Sequence, residues 1–423
     1  MSKLVHSVTL ATLIFGSFAH AATTEERNDR VVDQASVDMQ DEADRDLAAL
    51  VRRYKGSKQE SEMLLRLAEL RLEIADGMFR VEYGPGESGL KKAYLSKLGA
   101  GLEPLNRILS AYSRSAEAPR ALFLRGKSEK ELGKAAAALK DLEAFVAANP
   151  KRDEAPVAAM QIADLSMDSH HYARAYSVLN ALAAKPNHSL YPNALSKRAW
   201  ALQSQEKPEA AAAELAKLAA VFQSREAAKN LSASDGALRS AVLNDVPTIA
   251  YMAHTANEKK FTLANVNTLF RSFDTGEGYQ QMAIRFSDHL RTADMNADLR
   301  TWKAIVLKSD PSRKSLEMLI GILEYDLERS AYADVVKDSS DVADLLAADP
   351  ANAEAEHARK LVVKGADKLT KRITDYKSSP QARGLGTTAS TEAEKNLVQL
   401  LATFDRIAAP SDARRFALRW NLA

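Results

Sequence analysis

None of the 423 residues is cysteine, which excludes a disulfide framework, a thiolate metal site, a thiol nucleophile and a lipidated cysteine anchor. Long apolar runs are missing too. The longest, from about Val8 to Phe18, falls short of the roughly 20 residues needed to span a bilayer. Neither sign of charge dominates, with 58 Lys and Arg against 56 Asp and Glu. No basic stripe with interleaved aromatics appears, which argues against nucleic-acid binding through bulk charge. Glycine (17) and proline (13) are sparse, and strand-like alternating runs are absent. What is left, rich in alanine and leucine, is the composition of a helical chain.

Within that chain three segments can be superimposed. Pro119, Pro156 and Pro192 recur at spacings of 37 and 36 residues. Seven residues after each stands Gly126, Ala163 or Ala199, and nineteen after each stands Ala138, Ala175 or Ala211. Proline suits the first turn of a helix, where its missing N–H is not needed, and a small residue two turns on admits a close second helix. Leu122, Leu132, Leu139, Leu142 and Phe145 in the first unit follow helical spacing. So do Tyr172, Leu179 and Leu182 in the second, and Leu195, Leu202, Leu215 and Leu218 in the third. Each unit is expected to form an antiparallel helix pair.

Leu122, Gly126, Ala138 and Pro150 together resemble the tetratricopeptide (TPR) repeat. The resemblance implies an all-α fold, a TPR-like right-handed superhelical solenoid of antiparallel helix hairpins, in which each repeat packs on its neighbours. Two phrases, 118–123 (APRALF) and 191–200 (YPNALSKRAW), are similar to periplasmic TPR proteins of delta-proteobacterial gliding-motility and outer-membrane complexes.

Residues 1–21 have the layout of a secretory signal: Lys3, a short apolar run, then Ala19-His20-Ala21 before a cut at Ala22. Periplasmic localisation is expected, either free or peripheral to the outer membrane, with no transmembrane segment in the mature chain. Residues 22–58 are a charged segment, partly helical. Residues 59–118 are a divergent first repeat whose first helix ends at Asp76-Gly77, followed by an inserted loop over 77–89. Residues 119–222 carry the three clear repeats. Over 223–423 the register is lost and degenerate repeats follow, with helices at 237–254, 263–273, 278–292 and 298–307, and a flexible loop at 378–391. At the end, Phe416, Leu418, Trp420 and Leu422 lie on an unpaired helix; the expected readings are docking onto another protein, a chain shortened relative to its relatives, or a helix folded back on the preceding one.

No stretch completes an enzymatic motif. Gly126-Lys127-Ser128 lacks the earlier glycine of a phosphate loop, Ala121 standing in its place. Asp168 with His170-His171 has no second ligand cluster, and Gly384-Leu385-Gly386 follows no strand. No catalytic residue, cofactor or metal is therefore assigned.

In TPR proteins the first helices of successive repeats line a groove. Counting each opening proline as position 1, the resemblance places groove positions 2, 5, 9 and 12 at Arg120, Phe123, Lys127 and Lys130. In the second unit they are Val157, Met160, Asp164 and Met167, and in the third Asn193, Ser196, Trp200 and Gln203. This mixture suits an envelope protein or peptide segment with apolar anchors and a polar rim. In the other reading, Phe123 and Trp200 pack between repeats. Phe123 and Lys127 stand where TPR domains that clamp acidic chaperone tails use lysine and asparagine, so that activity is not implied. The expected function is a non-catalytic periplasmic scaffold, with peptidoglycan or polysaccharide binding or processing as the alternative.

Overall fold

The computed structural model describes residues 42–82, 90–309, 316–349, 352–378, 386–409 and 411–415. Every regular element among them is helical, so the fold is the all-α tandem arrangement of helix pairs expected from the proline and alanine spacing. The chain divides into two compact units, 1–190 and 191–423. The boundary falls inside the 119–222 block, after its second repeat.

Unit 1 contains α1 (42–53), then the pairs α2 (Glu60–Glu82) with α3 (Leu90–Ala111), α4 (Ala118–Glu131) with α5 (Ala135–Ala148), and α6 (Ala155–Asp168) with α7 (Tyr172–Val178). The short α8 (Asn180–Ala183) continues α7. Pro119 and Pro156 sit in the first turns of α4 and α6. Gly126, Ala163, Ala138 and Ala175 are all buried where helices cross. A side chain on Gly126 would begin 2.8 Å from Leu142 Cγ, closer than real contacts allow, so this pair depends on the missing Cβ.

Unit 2 opens with α9 (Tyr191–Gln203) and α10 (Pro208–Ala227), followed by an interposed α11 (Ala233–Val242) capped by the Ser232–Asp235 box. Pairing resumes with α12 (Val246–Ala256) and α13 (Leu263–Phe273), then α14 (Glu277–Thr292) and α15 (Asn296–Ser309). Two further pairs are α16 (Leu316–Glu328) with α17 (Tyr332–Ala348), and α18 (Ala355–Ser378) with α19 (Gly386–Ile407). The first helices α12, α14, α16 and α18 contact one another in succession, as do α10, α13 and α15, and α17 and α19; side chains link α9 to α12 (Gln203 to Met252) and α15 to α17 (Arg300 and Lys303 to Asp338). An aromatic core joins them: the Phe270, Phe286 and Trp302 rings lie with centroids 4.8–5.8 Å apart.

Three boundaries differ from expectation. First, α2 runs through Asp76-Gly77 to Glu82, because a single glycine costs a helix only about 1 kcal/mol and does not act as a breaker. Second, the segment 237–254 is two helices, because Pro247 in the first turn of α12 cannot continue an incoming helix. Third, α19 starts at Gly386, inside the expected 378–391 loop. The signal segment, residues 83–89 of the inserted loop, Gly384 and Leu385, and the terminal Phe416, Leu418, Trp420 and Leu422 lie outside the described residues. No helix among the described residues is long and apolar enough to cross a membrane.

Helix ends repeat one device. Gly133, His170, Glu206, Lys229, Asp294 and Ser330 all have φ between 54° and 73°. In each case the next N–H reaches back five residues, as in Lys134 N–H to Glu129 O (2.8 Å), His171 N–H to Ser166 O (2.7 Å) and Ala331 N–H to Asp326 O (3.0 Å). This is the Schellman termination, and only Gly133 meets it without strain. A left-handed backbone costs other residues about 1–2 kcal/mol, partly offset by glycine's greater freedom when unfolded. Ser330→Gly or Glu206→Gly is therefore expected to raise stability by about 0.5–1 kcal/mol. Gly133→Ala should lower it by about 1 kcal/mol, and urea melts of the three variants check both signs.

Candidate functional site

In unit 1 the first helices α2, α4 and α6 are tied by charges that cross from one helix to the next. Arg120 Nε bonds Glu69 Oε1 on α2 at 3.0 Å, and its Nη1 bonds Glu154 Oε1 at the start of α6 at 3.3 Å. Lys127 pairs with Asp76 at 3.7 Å, and Lys130 bonds Asp164 at 3.2 Å. The expected groove cations thus have acidic partners on neighbouring first helices. Such half-exposed pairs add little stability each, but they hold the side chains in register. Between them Val157 is 39% exposed, Met167 is half-buried and Met160 is largely covered.

Phe123 does not belong to this face. It is only 5% exposed, and its ring packs 5.4 Å from Phe145 on α5, with the Arg120 guanidinium 5.8 Å above it. Because Gly126 lets α5 approach, Phe145 closes over Phe123 and makes it a core residue.

In unit 2, α9 carries Asn193, Ser196 and Gln203 half-buried, while Trp200 is 43% exposed. Gln203 Nε2 reaches Met252 Sδ on α12 at 3.6 Å. On α12, Thr248 Oγ1 lies 3.1 Å from His289 Nε2 of α14, and Tyr251 stacks on the same imidazole with centroids 5.1 Å apart. Burial holds the His289 imidazole below its ordinary pKa, with Asp288 opposing. Met252, Tyr251 and His289 thus join α12 to α14, Gln203 ties them to α9, and Trp200 stands one turn before Gln203 on the same helix.

The α12 and α14 part of that surface was missed from sequence, although its signal is present. Pro247 opens a unit in the same register as Pro119, and groove positions 2 and 5 then fall on Thr248 and Tyr251. The 55-residue gap from Pro192, filled by the long α10 and by α11, hides the repeat.

A separate cleft of about 270 Å³ opens between α1, α2 and α3, lined by Arg52, Lys55, Arg71 and Arg107 among others. Two of its cations are committed: Arg71 to Asp44 at 2.8 Å, and Arg107 to the fully buried Glu60. Burial alone would push the Glu60 carboxyl up. Hydrogen bonds from the Tyr112 hydroxyl, the Gly56 N–H and Arg107 outweigh burial and hold it below its usual value. The cleft is lined by a structural ion-pair network.

No family model matches the chain, and no curated protein sequence matches it. Among solved structures, a circular tandem repeat protein with novel repeat topology and enhanced subunit contact surfaces aligns over 93% of this chain and 96% of its own, at 13% identity and a TM-score of 0.22. At that score the likeness carries no argument about function.

Proposed function

We propose that the chain is a non-catalytic scaffold of the TPR type, exported to the periplasm by its first 21 residues. There it would hold a protein or peptide segment of the cell envelope against the rows of first helices. The observation that carries this reading is Trp200, 43% exposed on α9 one turn before Gln203, whose amide reaches Met252 of α12, whereas Trp302 is fully buried. An exposed tryptophan on a first helix, with half-buried polar side chains on the same helix, has the make-up of a binding hot spot. A fold of stacked helix pairs is typical of protein-interaction scaffolds. In unit 1 the corresponding face would offer Val157 and Met167 between the Arg120, Lys127 and Lys130 pairs.

A photo-crosslinking amino acid placed at Trp200 or Val157 in intact cells tests this reading. It should give adducts to the same envelope protein from both positions, whereas Lys217 on the second-helix row should give none. Equal adducts from all three positions, or none from the first two, would contradict the proposal. Cosedimentation of the purified chain with sacculi, abolished by Trp200→Ala, would favour the polysaccharide reading instead.

A further inference from the structure

His254 occupies a position that is small in other repeats. It lies seven residues after Pro247, where the three clear units have Gly126, Ala163 and Ala199. The imidazole is only 3% exposed and sits beside Phe286, with ring centroids 6.5 Å apart. Its Nδ1 lies 2.8 Å from the Phe261 carbonyl oxygen. A carbonyl only accepts, so Nδ1 carries a proton and Nε2 is the ring atom left to bind a metal ion.

That Nε2 is buried and has no hydrogen-bond partner. Asp298 Oδ2 is 3.5 Å from it, and one oxygen each of Glu258 and Asp298 lie with a nitrogen of the ring within 4.8 Å of one another. A ring nitrogen and two carboxylates that converge on one place need a positive charge among them, from a bound cation or from a second ring proton. The 3.5 Å separation is also longer than a hydrogen bond. It matches the roughly 3.4 Å between two ligand atoms that each bind one tetrahedral ion at about 2.1 Å. Donation of the other ring N–H to a carbonyl is the usual way a protein fixes a metal-binding imidazole.

We infer that His254, Glu258 and Asp298 bind a divalent transition ion of the zinc class. One nitrogen and two carboxylate oxygens suit zinc better than calcium or magnesium, which prefer all-oxygen shells of six or more ligands. Three protein ligands leave a position for water or for a partner's side chain. His254 is on α12, Glu258 follows its last turn, and Asp298 is in the first turn of α15. The ion would therefore clip two successive helix pairs of unit 2 together, in a repeat where an imidazole has replaced the small residue.

The test uses the full chain stripped with EDTA and titrated separately with ZnCl2 and CoCl2. One equivalent of zinc should bind and raise the melting temperature, and cobalt should give the visible d–d absorption of a four- or five-coordinate site. Asp298→Asn and Glu258→Gln, which alter partly or fully exposed side chains and should fold normally by circular dichroism, should each weaken zinc binding at least tenfold. His170→Ala, on a surface turn, should leave it unchanged. Absence of saturable one-to-one binding, unchanged affinity in Asp298→Asn, or binding of calcium in preference to zinc would each overturn the assignment.

Discussion

Asp338→Ala is expected to destabilise unit 2 by about 3–5 kcal/mol, the typical effect of removing one partner from a buried charge pair. Asp338 is completely buried and accepts from Arg300 at 2.6 Å and from Lys303, whose other partner is Asp341 at 2.6 Å. Without Asp338, the Lys303 ammonium stays buried with half its neutralisation gone. The neighbouring Asp326 sets a pH dependence. Burial, then the adjoining Asp338 carboxyl, push Asp326 up to about 8 despite its contact with Arg300.

The unfolded chain releases this proton near the ordinary value of 3.8. Between these two values the folded state therefore holds one more proton, and the Asp326 contribution to stability falls as pH rises through that window. Asp338 behaves oppositely. Burial alone would raise it, but Asp326, Lys303 and Arg300 hold it below 3.8, so its contribution is lost only in acid, below the Asp326 window. Asp326→Asn, which mimics the protonated carboxyl, should leave unit 2 folded and flatten the profile. Melting temperatures of wild type and variant between pH 5 and pH 8 measure this. Parallel profiles, or an Asp338→Ala loss under about 1 kcal/mol, would refute the arrangement.

The second large effect concerns Gly126. Leucine there should cost on the order of 1–3 kcal/mol by overpacking the α4–α5 crossing. Alanine should also destabilise, because its Cβ would sit 2.8 Å from Leu142 Cγ and 3.3 Å from Asp141 Cβ. Helix propensity alone favours alanine over glycine by roughly 0.5–1 kcal/mol, so a loss in Gly126→Ala reports the crossing itself. Gly99 on α3 has nothing within 4 Å of its Cβ position, and Gly99→Ala is expected to gain stability. Denaturant melts that rank the two alanine variants the other way round would contradict the packing.

Much of the fold was legible because proline and small residues act through backbone geometry, which few other residues supply. Pro119, Gly126 and Ala138 mark a helix start and a crossing whatever lies around them. The contact that closes each hairpin was not legible, because its chemistry changes from pair to pair. Eight residues before and after the left-handed turn residue, Arg125 meets Asp141 at 2.9 Å around Gly133, and Arg198 meets Glu214 at 3.1 Å around Glu206. The same positions around Asp294 hold Phe286 and Trp302, with rings 4.8 Å apart, and those around His170 hold Ile162 and Val178 in one apolar cluster. A buried ion pair and an aromatic pair fill one space, so no residue-type pattern reveals it. The sequence leaves Phe123 with two readings, groove or packing, for a related reason: which one holds depends on how near Gly126 allows α5 to come, and Phe145 of α5 covers it. His254 is not legible as a ligand because an imidazole at the small-residue position of Gly126, Ala163 and Ala199 breaks the repeat pattern.

The central claim is that first helices of successive repeats stand side by side on one face, and introduced cysteines test it most directly because the chain has none of its own. Lys130→Cys on α4 and Asp164→Cys on α6 replace side chains that bond at 3.2 Å. Treating the purified double variant with a short bis-maleimide should join the two peptides within one chain, at a yield independent of protein concentration. Linkage only between chains, or no linkage in a protein of unchanged helicity, would contradict the account.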